Sequence, residues 1–346
     1  MPPKSSPLRA AGLALAAGLA LSACAPGASS PPSALTTPSP ADSPEPLPAS
    51  LSFTFPGGDR PTVARQLTGL DERYINPGAV IEHDGELHMF ANVFTAWPGP
   101  VRMPHLVSSD GNNWTLASPE PALTSDEVPF AEPGADVSTG FVADDGTWVL
   151  IFQSVNTSTP WALGRATAPG PDGPWTVEPE PILSAGAEGE WDAGGLAWPS
   201  VVRTEDGYLM YYAALDRPRG SGAIGLATSA DGATWTKHPQ PVLRAERGWE
   251  LDGLDRPRVA VTPRGLVMLY AGGDLNRRGA AWSDDGLTWE RDGDLPAITA
   301  DDFPISGRTW DVALLYRDAA LHYYMEIGSA SATGSTEIYL AVAPLP

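Results

Sequence analysis

The chain has 346 residues, and its 42 acidic against 21 basic side chains give a formal net charge of −21. Such a charge repels phosphate backbones and anionic headgroups, which excludes nucleic-acid binding and charge-driven binding to a membrane surface. A single cysteine excludes an internal disulfide. A neutral or cationic partner fits this composition better.

The first 23 residues have the pattern of a secretory signal peptide. Lys4 and Arg9 give a basic start, the apolar run AAGLALAAGL is too short to cross a bilayer, and LSAC follows. This ending resembles a bacterial lipobox, which implies that Cys24 carries a lipid and becomes the new N-terminus. The alternative is an ordinary signal peptide with a chance cysteine. We favour the lipobox, which predicts a lipoprotein anchored at the bacterial cell surface.

Residues 24–50 are predicted to be a disordered tether that begins at the lipid-modified cysteine. Residues 25–50 contain eight prolines, six serines and almost no large apolar side chain. Such a segment cannot bury enough surface to offset the entropy lost on ordering. Residues 51–346 remain for one globular domain, a length that is typical of a closed all-β architecture.

Five related hairpin patterns follow one another in this domain. Apolar and aromatic residues fill both arms of each pattern, as strands require. Four of the turns contain a glycine, and the intervals between these glycines are 61, 61 and 58 residues. The patterns are NPGAVIEHDGELHMF, VSTGFVADDGTWVLIF, WPSVVRTEDGYLMYY, RPRVAVTPRGLVMLY and WDVALLYRDAALHYY, with turn glycines Gly85, Gly146, Gly207 and Gly265.

An Asp-Gly turn followed by a tryptophan comes after each of the first four hairpins, in SSDGNNWT, GPDGPWT, SADGATWT and SDDGLTWE. Each repeat therefore contains four strands, and we expect the tryptophans to pack between neighbouring sheets. A period of this size predicts an all-β, five-bladed β-propeller with four antiparallel strands per blade. We expect residues 51–67 to supply the outer strand of the fifth blade and to close the ring.

These repeats resemble the five-bladed propellers of the group formed by glycoside hydrolase families 43, 32 and 130, over about residues 60–345. NPGAVIEHDGELHMF is similar to the first blade of the mannoside phosphorylases of family 130. The resemblance implies activity on glycosidic bonds. In family 43 a catalytic aspartate precedes the first-blade proline, where this chain has Asn76, which cannot take up a proton. Trp198 and Arg256 occupy the corresponding places in blades three and four, so the usual carboxylate positions are altered.

Carboxylates just before the innermost strands are the candidates for chemistry, because propellers bind ligands at the hub, where these strands begin. Glycoside cleavage needs one protonated and one ionised carboxyl group, separated by roughly 5–9.5 Å. We predict Asp136, Asp255 and Asp311 as the catalytic residues. The alternative is that each acid caps a turn or pairs with an arginine. The predicted substrate-binding residues are Asn76, Asp192, Trp198, Glu250, Asp252 and Arg256.

Tryptophans outside the Asp-Gly turns are candidate sugar platforms, because indole rings stack on the apolar faces of sugars. Trp97, Trp161 and Trp198 are of this kind. The five histidines show no metal-ligand spacing, so we predict no transition metal and no cofactor, and leave open a calcium or sodium ion in the central channel. The predicted partner is an oligo- or polysaccharide. We expect a monomer that meets the membrane only through its lipid.

Two classes of function fit these features. The first is a glycosidase, and the second is a non-catalytic carbohydrate-binding propeller that has lost the catalytic acids. Asn76 favours the second, whereas the acids from Glu250 to Asp255, together with Asp136 and Asp311, favour the first. We favour the glycosidase.

Substitution of the lipobox cysteine tests the predicted anchor. Cys24→Ala should release the protein from the membrane fraction into the soluble extracytoplasmic fraction, because the lipid would have no site of attachment. Fractionation and immunoblotting measure the distribution. A variant that remains with the membranes would contradict the lipobox interpretation.

Overall fold

The computed structural model describes residues 51–70, 72–215, 222–251, 253–328 and 334–345. The predicted lipidation site Cys24 and the predicted sugar contact Asp252 lie outside these residues. The described residues form 21 strands in five antiparallel sheets and four short 3-10 helices. None of these helices is long and apolar enough to cross a bilayer.

The strands fall into five consecutive groups along the chain. Blade one contains β1 (Tyr74–His83), β2 (Glu86–Phe94), β3 (Arg102–Met103), β4 (His105–Ser108), β5 (Thr115–Leu116) and β6 (Leu123–Thr124). Blade two contains β7 (Ala135–Val142), β8 (Trp148–Ser154), β9 (Leu163–Ala168) and β10 (Thr176–Val177). Blade three contains β11 (Gly195–Thr204), β12 (Gly207–Leu215), β13 (Gly222–Ser229) and β14 (Thr236–Lys237).

Blade four contains β15 (Asp255–Thr262), β16 (Gly265–Ala271), β17 (Arg278–Ser283) and β18 (Glu290–Arg291), and blade five contains β19 (Arg308–Arg317), β20 (Ala320–Gly328) and β21 (Thr336–Pro344). The 3-10 helices span Arg65–Thr68, Ser125–Glu127, Gly248–Glu250 and Ala300–Asp302. The first strand of each blade contacts the first strand of the next, and β19 contacts β1. This closed ring confirms the predicted five-bladed propeller.

The turn glycines all have a positive φ angle. Their φ angles are 79° at Gly85, 85° at Gly146, 124° at Gly207 and 100° at Gly265. An L-residue with a side chain rarely adopts this conformation, which explains why a glycine recurs in these hairpins, within the loop at Gly85 and as the first residue of the following strand at Gly207 and Gly265. The fifth hairpin uses two non-glycine residues there, at Asp318-Ala319, with φ angles of 50° and 56°.

Residues from the start of the domain complete blade five. Thr54 and Val342 pair across the sheet, with a hydrogen bond of 2.9 Å from the Thr54 N–H to the Val342 carbonyl. Val63 pairs in the same way with Ile338. The start of the domain therefore covers the outer edge of β21, as the sequence predicts for residues 51–67, and the ring closes without an open edge at this point.

The tryptophans of the Asp-Gly turns pack against the preceding blade. Trp289 of blade four meets Tyr211 of blade three edge to face, with ring centroids 5.4 Å apart. The Tyr211 hydroxyl donates a 2.8 Å hydrogen bond to the Gly286 carbonyl in the same turn. Blades one and five repeat this arrangement through Trp114 and Tyr324. The turns of blades one and four are thus held against the preceding blade by the burial of a tryptophan and by one tyrosine hydroxyl.

The innermost strands share a β-bulge at the same level of the hub. Bulges bend a strand and redirect its side chains, and here they all lie near the start of the strand. The bulges lie between Asn76 and Ala79, Val137 and Thr139, Ala197 and Ser200, Asp255 and Arg258, and Thr309 and Val312. The repeat therefore brings the pre-proline positions of several blades to one end of the hub.

Loss of one turn tryptophan should destabilise the propeller. Trp289→Ala should lower the free energy of unfolding by about 3 kcal/mol, because it leaves a cavity between blades three and four. Leu287→Ala is the matched control: this neighbour in the same turn is 47% exposed, and its loss should change stability by less than about 0.5 kcal/mol. Urea denaturation measures both. Equal losses would contradict the packing role of the tryptophan.

Candidate active site

A cavity of about 400 Å³ lies at the hub, where the bulged strands begin. Six residues predicted from the sequence line it: Asn76, Trp97, Asp136, Trp198, Arg256 and Asp311. Glu326 and Trp310 of blade five also line it. The cavity therefore draws its walls from blades one to five.

Two wall residues are held in a conformation that side chains normally avoid. Trp198 and Arg256 have φ angles of 49° and 48°, which costs about 1–2 kcal/mol for a non-glycine residue. The Trp198 N–H donates to the side-chain oxygen of Gln153, and the Arg256 N–H donates 2.7 Å to Asp255 Oδ1. Strain of this kind is retained where the surroundings fix it and is concentrated at functional sites.

In this backbone geometry the side chain of Arg256 stacks on the ring of Trp198. The guanidinium carbon of Arg256 lies 4.0 Å from the centre of the Trp198 ring, which is within the range of a cation–π interaction. Trp198 also meets Trp161 edge to face at 5.7 Å, and Trp161 meets Trp97 at 6.4 Å. Trp97 is 41% exposed. An aromatic wall therefore runs from the interior of the cavity towards solvent.

Asp136 is buried at the cavity surface and has no ion pair with a cationic side chain of the described residues. Burial raises the pKa of its carboxyl group well above the ordinary value, and the negative charge of Asp311 raises it further. Its Oδ1 atom has no hydrogen-bond partner in the described part of the chain. The raised pKa favours the neutral form of Asp136, whose buried Oδ1 has no partner among the described residues.

Glu326 is a second neutral acid on the other side of Asp311. Burial, followed by the charge of Asp311, raises the pKa of Glu326 to about 8. The Asp311 N–H donates a 3.1 Å hydrogen bond to Glu326 Oε2. The sequence offers Glu326 as an acid at the far end of the second strand of blade five, but the predicted site residues do not include it, because it lies late in β20 rather than before an innermost strand.

Of the three acids that line the cavity, Asp311 is the one that forms an ion pair among the described residues. Its Oδ1 accepts from the Arg258 guanidinium at 3.0 Å and from the Val312 N–H at 2.9 Å. Both of these hydrogen bonds use Oδ1, so Oδ2 has none from the described residues. The cavity thus combines an ion-paired carboxylate with the two neutral acids Asp136 and Glu326.

Asp255, predicted as catalytic, lies behind Arg256. Its Oδ2 is 2.7 Å from the Arg256 guanidinium, it is buried, and it is absent from the residues that line the cavity. Burial raises its pKa, and the charge of Arg256 opposes that rise. Its contacts are those of a residue that orients Arg256.

The structure places Asp192 and Glu250 away from the cavity. Asp192 pairs with Lys237 at 2.7 Å, and Glu250 pairs with Arg291 at 2.7 Å. Lys237 and Arg291 lie at the same position of the outermost strands of blades three and four. The two acids therefore repeat one contact, in which a buried carboxylate ties the segment before an innermost strand to the outermost strand of the same blade.

The raised pKa of Glu326 predicts a pH-dependent stability. In the folded protein the pKa of the Glu326 carboxyl group is about 8. Its neutral form stabilises the fold fully at pH values below the pKa of the same group in the unfolded chain. This contribution to the free energy of unfolding is lost as the pH rises through about 8. Between pH 5 and 8 the wild type should lose about 1 kcal/mol per pH unit relative to Glu326→Gln.

Urea denaturation at pH 5, 6, 7 and 8 measures this difference. Glu290→Gln is the control, because Glu290 is exposed on β18 and its loss should leave the pH profile of the wild type unchanged. Parallel profiles for Glu326→Gln and the wild type would contradict the neutral state of Glu326.

Comparison with known proteins finds enzymes of carbohydrate metabolism that are similar to parts of this chain. Residues 199–345 match the model of glycoside hydrolase family 130, described as beta-1,4-mannooligosaccharide phosphorylase. A stretch of 139 residues, 36% of this chain, is 29% identical to 1,2-beta-oligomannan phosphorylase of Thermoanaerobacter sp. (strain X514) and covers 47% of that protein. The chain spans less than half of the length of the curated relatives that it matches.

Solved structures share the fold over most of the chain. One, from work on family 130 mannoside phosphorylases and on glycoside hydrolases that target beta-1,2 mannosidic linkages in Candida mannan, has a TM-score of 0.64 and 18% identity. It covers 88% of this chain and 99% of its own. A thermostable family-43 glycoside hydrolase has a TM-score of 0.61 and 15% identity, over 77% and 88% of the two chains. The predicted resemblance is confirmed at the level of the fold: this chain has the five-bladed propeller of the family 130 and family 43 structures that it matches.

Proposed function

We propose that this protein hydrolyses mannose-containing oligosaccharides in the hub cavity. One observation carries the proposal: two neutral carboxyl groups, Asp136 and Glu326, flank the ion-paired Asp311 in a cavity with a tryptophan wall. Glycoside hydrolysis needs this combination of a protonated and an ionised carboxyl group. The mannoside enzymes among the relatives support the choice of sugar.

Asp136 is the proton donor in this proposal. It has a raised pKa and an oxygen without a protein partner, so it can protonate the glycosidic oxygen as the bond to the anomeric carbon breaks. Asp311 takes a proton from the attacking water through Oδ2, while Arg258 and the Val312 N–H hold Oδ1. The new bond joins the water oxygen to the anomeric carbon, and the leaving sugar departs as an alcohol.

The aromatic wall binds the sugar rings. Trp198 lies inside the cavity beside Arg256, and Trp97 stands at the exposed end. Indole faces stack on the apolar faces of sugars, while carboxyl and guanidinium groups on the other walls bind hydroxyls. A ligand that follows this wall spans more than one ring, which favours an oligosaccharide over a monosaccharide.

Phosphorolysis is the second candidate, because the family model and the curated relative are phosphorylases. A phosphate that attacks the anomeric carbon needs cationic donors in the cavity. The cavity offers Arg73 and Arg256, and Asp255 already balances the charge of Arg256. Asp311, the ion-paired carboxylate in the same space, would repel a phosphate anion, which supports water as the acceptor.

The proposal includes the position of the enzyme in the cell. The lipobox-like LSAC and the proline-rich segment after it support a lipid anchor at Cys24 and a tether that carries the propeller at the bacterial cell surface. A soluble oligosaccharide reaches a site in that position without crossing a membrane.

Product analysis tests whether water or phosphate attacks the anomeric carbon. The full chain, purified in detergent, is incubated with β-1,2- and β-1,4-linked mannooligosaccharides, with and without inorganic phosphate. We expect free mannose at the same rate under both conditions. Mannose 1-phosphate that forms only with phosphate would establish the phosphorylase instead. Oligosaccharide binding without any product would establish the non-catalytic carbohydrate-binding alternative.

Removal of the proton donor should separate turnover from binding. Asp136→Asn should lower kcat about 10²–10⁴-fold, as expected for loss of a general acid, and should leave oligosaccharide affinity within a few-fold of the wild type. Steady-state kinetics and calorimetry measure the two effects. Asp284→Asn, an exposed position in an Asp-Gly turn of blade four, is the control and should keep full activity. An Asp136→Asn variant with unchanged kcat would rule out Asp136 as the donor.

A further inference from the structure

Blade four departs from the repeat at one fully buried position. In each blade one residue forms an antiparallel β-bridge with a segment outside the main strands of that blade. This residue is fully buried in all five blades. In four blades it is apolar, as a core position requires. The residues are Met103, Leu163, Ile224 and Ile338, and the exception is Arg278 in blade four.

Arg278 is only partly satisfied by its surroundings. One terminal nitrogen donates 3.3 Å to Thr309 Oγ1 and 3.1 Å to the Trp310 carbonyl. Its Nε and its other terminal nitrogen have no hydrogen-bond partner among the described residues. Arginine keeps its charge inside proteins, and a buried charge without a partner costs several kcal/mol. The fold therefore holds a cation that needs an acceptor.

Other polar groups around Arg278 lack an acceptor as well. The hydroxyl of Tyr323 is buried without a partner, and so is Nε of Arg256. The charges of Arg278 and Arg258 both act on Tyr323, which places its hydroxyl among these guanidinium groups. The unsatisfied atoms of this cluster are all able to donate, so one hydrogen-bond acceptor would satisfy several of them at once.

The charges of the cluster do not cancel. Arg256 pairs with Asp255 and Arg258 pairs with Asp311, which leaves the charge of Arg278 without a carboxylate partner among the described residues. Asp255 and Asp311 are near enough to act on Arg278 but are already paired. The cluster therefore has an excess of one positive charge.

We propose that Arg278 and Tyr323 bind one chloride ion, buried between blades four and five. A monovalent anion supplies the missing acceptor and balances one charge. Phosphate or sulfate fits less well, because a second negative charge would be repelled by Asp255 and Asp311, and because a strongly hydrated anion is costly to bury. This site is separate from the reaction proposed above, so its test does not depend on turnover.

Anion-dependent stability tests the site. The Tm of the full chain in detergent is measured in sodium chloride and in sodium gluconate at equal ionic strength. Binding to the folded state alone should raise Tm in chloride by on the order of 5 °C. Bromide should replace chloride, and crystals grown in bromide should show an anomalous peak in contact with Arg278 and Tyr323.

Two variants and a control complete the experiment. Arg278→Met introduces the residue that blade one has at this position, so it should fold and should lose the chloride-specific rise in Tm. Tyr323→Phe should reduce that rise, whereas Arg308→Met, at an exposed position of β19, should retain it. Equal Tm values of the wild type in chloride and gluconate would overturn the proposal, as would a full chloride response in Arg278→Met.

Discussion

The Arg258–Asp311 ion pair links the fold of this propeller to its chemistry. Arg258 is buried in blade four and donates to the Trp198 carbonyl of blade three at 3.1 Å, and to the Val312 carbonyl and Asp311 Oδ1 of blade five. Desolvation lowers the pKa of Arg258, and the charge of Asp311 opposes this. Removal of one partner of a buried pair costs about 3–5 kcal/mol. This arginine therefore holds three blades together and at the same time orients the carboxylate of the cavity.

The two neutral acids depend on the same pair. Asp311 stays beside Asp136 and Glu326 because Arg258 anchors it, and its charge is the second largest cause of the raised pKa of both. The largest cause is burial, which the closed ring provides. A hub that was more open to water, or that lacked Asp311, would lower the pKa of Asp136 and of Glu326. Proton donation is thus a consequence of packing as much as of residue type.

The sequence predicts the fold well because the repeat is imposed by local rules. A left-handed hairpin turn selects glycine at Gly85, Gly146, Gly207 and Gly265, and the Asp-Gly turns place a tryptophan against the previous blade. These constraints act within a few residues and recur in each blade. The predicted closure by residues 51–67 follows from counting strands, since blade five is one strand short. The register of β19 with β20 cannot be found in this way.

The site is only partly predictable from the sequence, because residues just before the innermost strands have different surroundings in different blades. The pre-proline rule finds Asn76, Trp198 and Arg256, which line the cavity. It cannot distinguish Asp311, at the cavity, from Asp255, which Arg256 covers. Asp192 and Glu250 precede innermost strands as well, but their repetition in two blades marks a structural contact with Lys237 and Arg291.

Glu326 has no such signal, because its place is set by the pairing of β20 with both of its neighbours. A local pattern cannot show which residue late in a strand turns towards the hub.

The charge balance of the hub explains how an acidic cavity coexists with three buried arginines. Arg256 lowers the pKa of Asp136 and of Glu326, yet the effects of burial and of Asp311 are larger. Asp255 and Asp311 each balance one arginine, so only Arg278 contributes an uncompensated positive charge. A chloride ion at Arg278 would cancel that charge and supply the acceptor that its guanidinium group lacks. The anion site inferred from blade four would thus stabilise the buried arginines, while burial and the charge of Asp311 raise the pKa of the two acids.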